Sequence, residues 1–151
     1  DFGIAYAKSE LAAGNGVPTE GVAFLSTNDF DKKNLEEISK ELKILGFKLI
    51  ATKGTASYLA DLGIEVEEVL KVHEGRPNIE DLIRSGLVQL IINTPVGSQA
   101  LHDDAYLRRA AIEYNIPTFT TIPGANAAIK AIKALRSKKI YTYSLQEIHN
   151  Y

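Results

Sequence analysis

Apolar residues along this chain follow two alternating patterns. Short continuous apolar runs, such as 22–25 and 88–92, are typical of buried strands, and they alternate with longer stretches of helical spacing such as 31–45. The pattern predicts strands over 22–25, 47–51, 65–70, 88–92 and 117–121, with an edge strand over 140–143. It predicts helices over 2–13, 31–45, 55–62, 78–86, 103–114 and 124–136.

The alternation of strands and helices determines the predicted fold class. Strands separated by single helices form crossover units, so we expect a three-layer, doubly wound α/β fold of the Rossmann type with a mostly parallel sheet. The helix over 2–13 precedes a segment rich in Gly and Pro over 14–21. We therefore expect residues 1–20 to be the end of a preceding helix and a linker, and residues 21–151 to form a single domain.

Composition narrows the class of protein. The chain has 151 residues, 45% hydrophobic and 24% charged, which is ordinary for one globular domain. Its net charge of −2 disfavours duplex DNA as a partner. It has no cysteine and its three histidines are scattered, so we expect neither a disulfide nor a metal site. With no apolar run of about 18 residues and a start at Asp1, we expect a cytoplasmic fragment without a membrane partner.

The end of the second predicted strand carries the first candidate site. Ligands of such sheets bind at the carboxyl ends of the strands, and here the strand leads into Thr52, Gly54, Thr55 and a helix. Glycine lets a ligand approach the backbone, while the hydroxyls and the free N–H groups of the helix can bind an anion. The alternative is a capped helix start with threonine as the cap.

Two lysines follow other strand ends. Lys32 lies at the start of the helix after the first strand, which leads into Ser26. A cation at this place is unfavourable for the helix, and an anionic ligand would offset that cost. Lys71 follows the third strand and brings a second cation to the same edge. Each lysine alone is compatible with a solvated surface residue, but together with the threonines they favour a site for an anionic ligand.

The fourth and fifth strand ends add polar groups. Asn93 can bind a base or a ribose through its amide, or it can form an Asx turn leading into Pro95. Thr120 and Thr121 add hydroxyls, although threonine is also common in strands. His73 lacks a second histidine at zinc-binding spacing, which leaves a general-acid role or a loop role.

Four segments together resemble one known family. They are 51–56 (Ala-Thr-Lys-Gly-Thr-Ala), 71–77 (Lys-Val-His-Glu-Gly-Arg-Pro), 91–94 (Ile-Ile-Asn-Thr) and 108–111 (Arg-Arg-Ala-Ala). In this order they resemble the C-terminal, methylglyoxal-synthase-like regulatory domain of the carbamoyl-phosphate synthase large subunit. The resemblance extends over essentially the whole chain, and the segment over 71–77 is its most specific part.

The resemblance implies a non-catalytic domain, without a cofactor of its own, that binds the nucleotide effectors UMP and IMP. Ornithine would bind at the junction with the preceding synthetase domain. The implied parent is a glutamine-dependent ligase of arginine and pyrimidine biosynthesis that uses ATP with Mg or Mn and a glutaminase small subunit. A homo-oligomer is also compatible with the sequence.

The resemblance also implies roles for individual site residues at matching positions. Gly54, which lies between Thr52 and Thr55, is added to them as a phosphate-binding residue. The implied set is Ser26 and Lys32 at the pocket mouth, Thr52, Thr55 and Lys71 on the phosphate, Asn93 and Thr94 along the next strand end, Asp103 and Thr121 nearby, and Thr120 toward ornithine.

Two departures and two alternatives remain open. Pro95 and Val96 replace polar residues that many relatives carry, which removes one hydroxyl from the expected pocket. A methylglyoxal synthase-type lyase acting on dihydroxyacetone phosphate would need a carboxylate base, but Asn93 stands where that enzyme has an aspartate. A pure oligomerisation module would instead be indifferent to nucleotides.

Overall fold

The computed structural model describes residues 1–95, 98–137, 141, 144 and 146–147, with residues 98–102 described by their backbone alone. The helices are α1 (Phe2–Ala12), α2 (Lys32–Ile44), α3 (Lys53–Asp61), α4 (Ile79–Arg84), α5 (Ser98–Glu113) and α6 (Ile122–Ser137). The strands are β1 (Val22–Thr27), β2 (Lys48–Ala51), β3 (Glu67–Glu68), β4 (Leu90–Thr94) and β5 (Thr118–Phe119). Of the edge strand predicted over 140–143, only residue 141 is among the described residues, so that prediction stays untested.

The five strands form one parallel sheet in the order β3-β2-β1-β4-β5. The chain moves outward from β1 through β2 to β3, and then crosses back to β4 on the other side of β1. The order therefore reverses between β1 and β4, which is where ligands bind in doubly wound sheets. This confirms the predicted three-layer, doubly wound parallel fold.

Alternation along the strands places one apolar core on each face of the sheet. From β1, Leu25 faces a core built with α1, α2, α3 and α6, while Phe24 faces a second core built with α4 and α5. Both side chains are fully buried, as are Leu35 of α2 and Ile83 of α4. Each such side chain stabilises the fold by about 1.5–3 kcal/mol through the burial of apolar surface, so the two cores hold the sheet between helical layers.

The carboxyl ends of β1 and β4 differ from the prediction, because each strand continues through polar residues. The prediction ended β1 and β4 with their apolar runs, yet both strands extend two residues further. Ser26 pairs with Asn93 and Thr27 pairs with Thr94 in the parallel ladder. The polar ends remain in the ladder because backbone pairing does not depend on side-chain polarity. At the other edge β3 is only Glu67–Glu68, and a 3₁₀ turn at Val72–Glu74 follows it.

Helix α1 contacts the domain more closely than the sequence pattern suggested. Ala7 is buried in the core shared with α6, and Lys130 of α6 lies over the Phe2 ring at 5.5 Å. A Cβ atom at Gly3 would lie 2.5 Å from the carbonyl oxygen of Lys130. The absence of a side chain at Gly3 therefore lets the two helices approach. The assignment of 1–20 to a preceding helix and linker stays a prediction.

We expect Gly3→Ala to destabilise the chain by about 1–2 kcal/mol, because the new methyl group must displace the α6 backbone and this outweighs the better helix propensity of alanine. Urea denaturation followed by circular dichroism measures the change. Gly16→Ala is the matched control, since a Cβ there meets only Leu11 at 3.7 Å. Equal stability of the two variants would contradict the close packing of α1 on α6.

Candidate functional site

A cavity of about 310 Å³ opens at the carboxyl ends of β1, β2 and β4. Its position is the reversal point of the strand order, as the fold class requires. Apolar side chains, among them Phe24, Val72 and Leu107, form one part of its wall. The sequence-predicted residues in the wall are Ser26, Thr52, Lys71, Asn93, Thr94 and Asp103.

The first turn of α3 presents unoccupied backbone donors beside this cavity. Thr52 holds the N-cap position, as the capped-helix interpretation expects, but its side chain makes no capping hydrogen bond. Its hydroxyl instead donates to Ser26 Oγ at 3.2 Å. Within the described part of the chain, no acceptor reaches the N–H groups of Lys53, Gly54 or Thr55. An uncapped helix N-terminus of this kind is able to bind an anion.

The buried hydroxyl of Thr55 ties this turn to the sheet. Thr55 Oγ1 accepts a hydrogen bond from the backbone N–H of Thr27 at 3.2 Å, which connects α3 to the end of β1. The accepting hydroxyl keeps its own hydrogen for donation. Thr55 therefore has a structural contact in addition to the predicted role as a phosphate ligand, which remains a prediction.

Lys32 lies beside the same helix end, although it does not line the cavity itself. Its Nζ is 3.5 Å from the position that a Cβ atom on Gly54 would take. It forms an ion pair with Asp29 at 2.5 Å. The hydrogen bond from Lys32, and then its positive charge, lower the pKa of the Asp29 carboxyl below its usual value. An anion at this place would compete with Asp29 for the lysine.

Lys71 lies at the start of a loop, residues 71–78, that internal hydrogen bonds hold in place. Its backbone N–H donates to the Glu74 carboxylate at 2.8 Å. The buried Asn78 donates to the carbonyl of Gly75 at 2.8 Å and caps α4 by accepting the N–H groups of Glu80 and Asp81. This confirms the N-cap predicted at Asn78. Among residues 1–95 and 98–137, the ammonium of Lys71 has no ion-pair partner.

The end of β4 is held by two residues that sequence reasoning missed. Asn28, just after β1, donates from Nδ2 to the Thr94 carbonyl at 3.0 Å and to the Thr94 hydroxyl at 3.1 Å. Asp104 of α5 accepts a hydrogen bond from Asn93 Nδ2 at 2.6 Å. The amide nitrogen of Asn93 thus reaches across to a helix, while the Asx-turn interpretation, which concerns its oxygen and the residues after Pro95, stays a prediction. The spacing of Asp104 and Arg108 by four residues was the available signal.

Acceptor groups form the side of the cavity toward α5. His73 Nδ1 lies 2.7 Å from Asp103 Oδ1, so the 3₁₀ turn and α5 meet through this pair. Asp103 Oδ2 and the Thr27 hydroxyl oxygen are buried without a hydrogen-bond partner among the described residues. Both residues line the cavity. Buried polar atoms of this kind normally have a partner, so they indicate where a polar ligand would bind.

Two predicted residues lie elsewhere. Thr121 Oγ1 accepts the N–H of Gly124 at 3.1 Å at the start of α6, and neither it nor Thr120 lines the cavity. They follow β5, which lies at the sheet edge one strand beyond β4. The effector role of Thr121 and the ornithine role of Thr120 stay predictions.

The described residues contain neither a membrane-spanning helix nor a metal-binding cluster. No helix in that part of the chain is both long enough and apolar enough to cross a membrane. No three His, Asp or Glu side chains there are grouped so that they could hold a metal ion.

Comparison with known sequences gives a consistent result. A sequence model described as the MGS-like domain matches residues 34–120. The chain is 49% identical over 149 residues to the carbamoyl phosphate synthase large chain, C-terminal section, of Methanopyrus kandleri, covering 98% of this chain and 28% of that one. It is 46% identical over 150 residues to the carbamoyl phosphate synthase large chain of Archaeoglobus fulgidus, covering 99% of this chain and 14% of that one. The chain thus spans less than a third of the curated relatives that it matches.

A solved structure agrees on the fold. Methylglyoxal synthase from Elizabethkingia anophelis superposes with a TM-score of 0.58, covering 75% of this chain and 79% of that chain, at 21% sequence identity. At this identity the likeness concerns the fold alone. The family match, in contrast, rests on sequence over more than half of the chain, and the chain therefore belongs to the MGS-like domain family, with large chains of carbamoyl phosphate synthase among its relatives.

Proposed function

We propose that this chain is an effector-binding regulatory domain whose cavity takes a nucleoside monophosphate, UMP or IMP. The observation that carries the proposal is the first turn of α3, where three backbone N–H groups have no acceptor among the described residues. A phosphate would supply that acceptor and would be favoured by the helix dipole. Lys71 on one side and Lys32 on the other add positive charge.

The opposite side of the cavity fits the remainder of a nucleotide. Asp103 and Asn93 offer oxygen acceptors to sugar hydroxyls, and the buried Asp103 Oδ2, which has no partner among the described residues, favours a ligand with hydrogen-bond donors. Phe24, Val72 and Leu107 provide apolar surface for a flat ring. A volume of about 310 Å³ lies at the small end of the range for ligand pockets, which favours a mononucleotide over a larger ligand.

The relatives suggest where such a domain acts. As their counterpart, the chain would be the C-terminal part of a glutamine-dependent, cytoplasmic carbamoyl-phosphate synthase, with ATP and Mg or Mn serving the synthetase domains and a glutaminase small subunit supplying ammonia. Ornithine near Thr120 would require the preceding synthetase domain. A ligand regulates only through different affinities for two states of its protein, so bound nucleotide would shift the contacts between this domain and the synthetase domain.

The geometry gives less support to a lyase of the methylglyoxal synthase type. At the β4 end the amide of Asn93 donates to Asp104, and the second oxygen of that carboxylate accepts a hydrogen bond from Arg108. Neither group is available as a free base at that strand end. Among the described residues, the end of β4 therefore has no unengaged base at the position where the lyase requires one, and the carboxylate oxygen that is open to the cavity, Asp103 Oδ2, belongs to α5 instead.

The first test is calorimetric titration of the 151-residue chain with UMP at low salt, with uridine as control. Saturable binding of UMP that is much tighter than the binding of uridine supports a phosphate-binding effector site. If UMP gives no heat, the same titration with IMP follows. Failure of both nucleotides to bind would contradict the proposal for this chain.

Lys71→Ala should weaken UMP binding by about 10- to 100-fold, because it removes a charge-assisted hydrogen bond to phosphate, and should leave the weak binding of uridine unchanged. Calorimetry measures both. Lys40→Ala is the matched control, since it removes the same charge from an exposed face of α2 where Lys40 pairs with Glu36. Equal losses for UMP and uridine would contradict a phosphate role for Lys71.

Gly54→Ala should separate binding from folding. Its φ angle is ordinary and the new methyl group would meet Lys32 Nζ at 3.5 Å, so we expect stability to be unchanged or to rise by up to about 1 kcal/mol. The same methyl group would occupy the space between the helix N–H groups and the lysine, so UMP binding should fall at least about tenfold. Thermal unfolding and calorimetry measure the two effects, and unaltered UMP affinity would place the phosphate elsewhere.

A further inference from the structure

A buried hydrogen-bonded pair connects β4 with α5 beside the cavity. Asn93 and Asp104 are each only 6% exposed, and Asn93 Nδ2 donates to Asp104 Oδ1 at 2.6 Å. The second carboxylate oxygen, Asp104 Oδ2, accepts a hydrogen bond from Arg108 at 2.7 Å. Both oxygens of the buried carboxylate are therefore occupied, one by the site residue Asn93 and the other by a cation.

The chemistry of the carboxylate determines which way the Asn93 amide points. An ionised carboxylate only accepts hydrogen bonds, so the amide nitrogen of Asn93, and not its oxygen, must be turned toward Asp104. The guanidinium of Arg108 contacts the other oxygen at 2.7 Å through a charge-assisted hydrogen bond, the kind of partner that a buried carboxylate requires. In the described part of the chain no donor reaches Asn93 Oδ1, and Asn93 lines the cavity.

We propose that Asp104 is a positioning residue that fixes the Asn93 amide so that its oxygen is the group offered to the cavity, and that the site thereby selects ligands with a hydroxyl or N–H donor at that place. The inference rests on the proposed function, because it assigns one specificity contact within the same cavity. Without Asp104, the amide of Asn93 could turn over and present either a donor or an acceptor, and the discrimination would be lost.

The same arrangement separates this contact from the phosphate end of the cavity. Asp104 lies on α5, which follows β4, while the N–H groups that would bind phosphate belong to α3, which follows β2. In the sheet, β4 and β2 lie on opposite sides of β1. A change at Asp104 should therefore alter selectivity for ligand donors and leave the contribution of phosphate to binding intact. A general loss of structure would reduce both.

The test compares the wild-type chain with Asp104→Asn, which keeps the shape of the side chain, and with Glu113→Gln as a control on the same helix, where Glu113 lies 3.8 Å from Arg84. The probes are UMP, 2′-deoxy-UMP, 3′-deoxy-UMP and uridine, titrated by calorimetry. A second readout needs no ligand. It is the hydrogen exchange of the Asn93 side-chain NH₂, followed by NMR and assigned through its disappearance in Asn93→Asp.

We expect wild type and Glu113→Gln to prefer UMP over at least one deoxy analogue by about tenfold, the range of one hydrogen bond. In Asp104→Asn this preference should fall to about threefold or less, while the ratio of UMP to uridine affinity stays the same. The Asn93 NH₂ should be protected from exchange in wild type and unprotected in Asp104→Asn.

Three results would overturn the inference. An unchanged preference in Asp104→Asn removes the specificity role while leaving the proposed function in place. Exchange of the wild-type Asn93 NH₂ at the rate of an exposed side chain removes the fixed orientation. If neither UMP nor IMP binds the wild-type chain, the proposed function fails and this specificity role fails with it, even where the Asn93 amide is protected.

Discussion

The parallel pairing of β1 with β4 is the constraint on which the site depends. It is the point where strand order reverses, and it brings Ser26 beside Asn93 and Thr27 beside Thr94 in register. Asn28 secures this pairing by donating to both the carbonyl and the hydroxyl of Thr94. A shift of one residue would bring Ser26 beside Ile92 or Thr94 in place of Asn93, so the polar ends of the two strands would no longer meet in this arrangement.

The fold could be predicted because its helices and strands are visible in short stretches of sequence. Continuous apolar runs and helical spacing mark the elements, and their alternation leaves few topologies for a parallel sheet. The ends of elements were less predictable, since apolar patterning stops where polar side chains begin. Ser26 and Asn93 belong to strands through their backbone pairing, although the apolar runs end before them. Similarly, α1 was recognised as a helix, but its packing on α6 depends on the close approach at Gly3.

The sequence allowed the site to be predicted as a set of strand ends, but not the hydrogen bonds that connect its side chains. Parallel strands carry their carboxyl ends to one edge, so Thr52, Lys71 and Asn93 could be brought together on topology alone. Partners that lie on other elements had no comparable signal. Asp104 is one of two consecutive aspartates, and only the packing of α5 decides which of them meets Asn93 and which meets His73. Thr121 shows the opposite limit, because it also follows a strand end, that of β5, but does not line the cavity.

The uncapped turn of α3 also has a consequence for the dynamics of the domain. Backbone amides that have no acceptor in the protein exchange their hydrogens with water even when the helix is intact, so the amides of residues 53–55 should be the fast-exchanging start of an otherwise protected element. A ligand that accepts from them would extend protection to the first turn and, by mass action, raise the free energy of unfolding of the whole chain with its concentration. Thermal stability of the domain would then depend on the concentration of its effector.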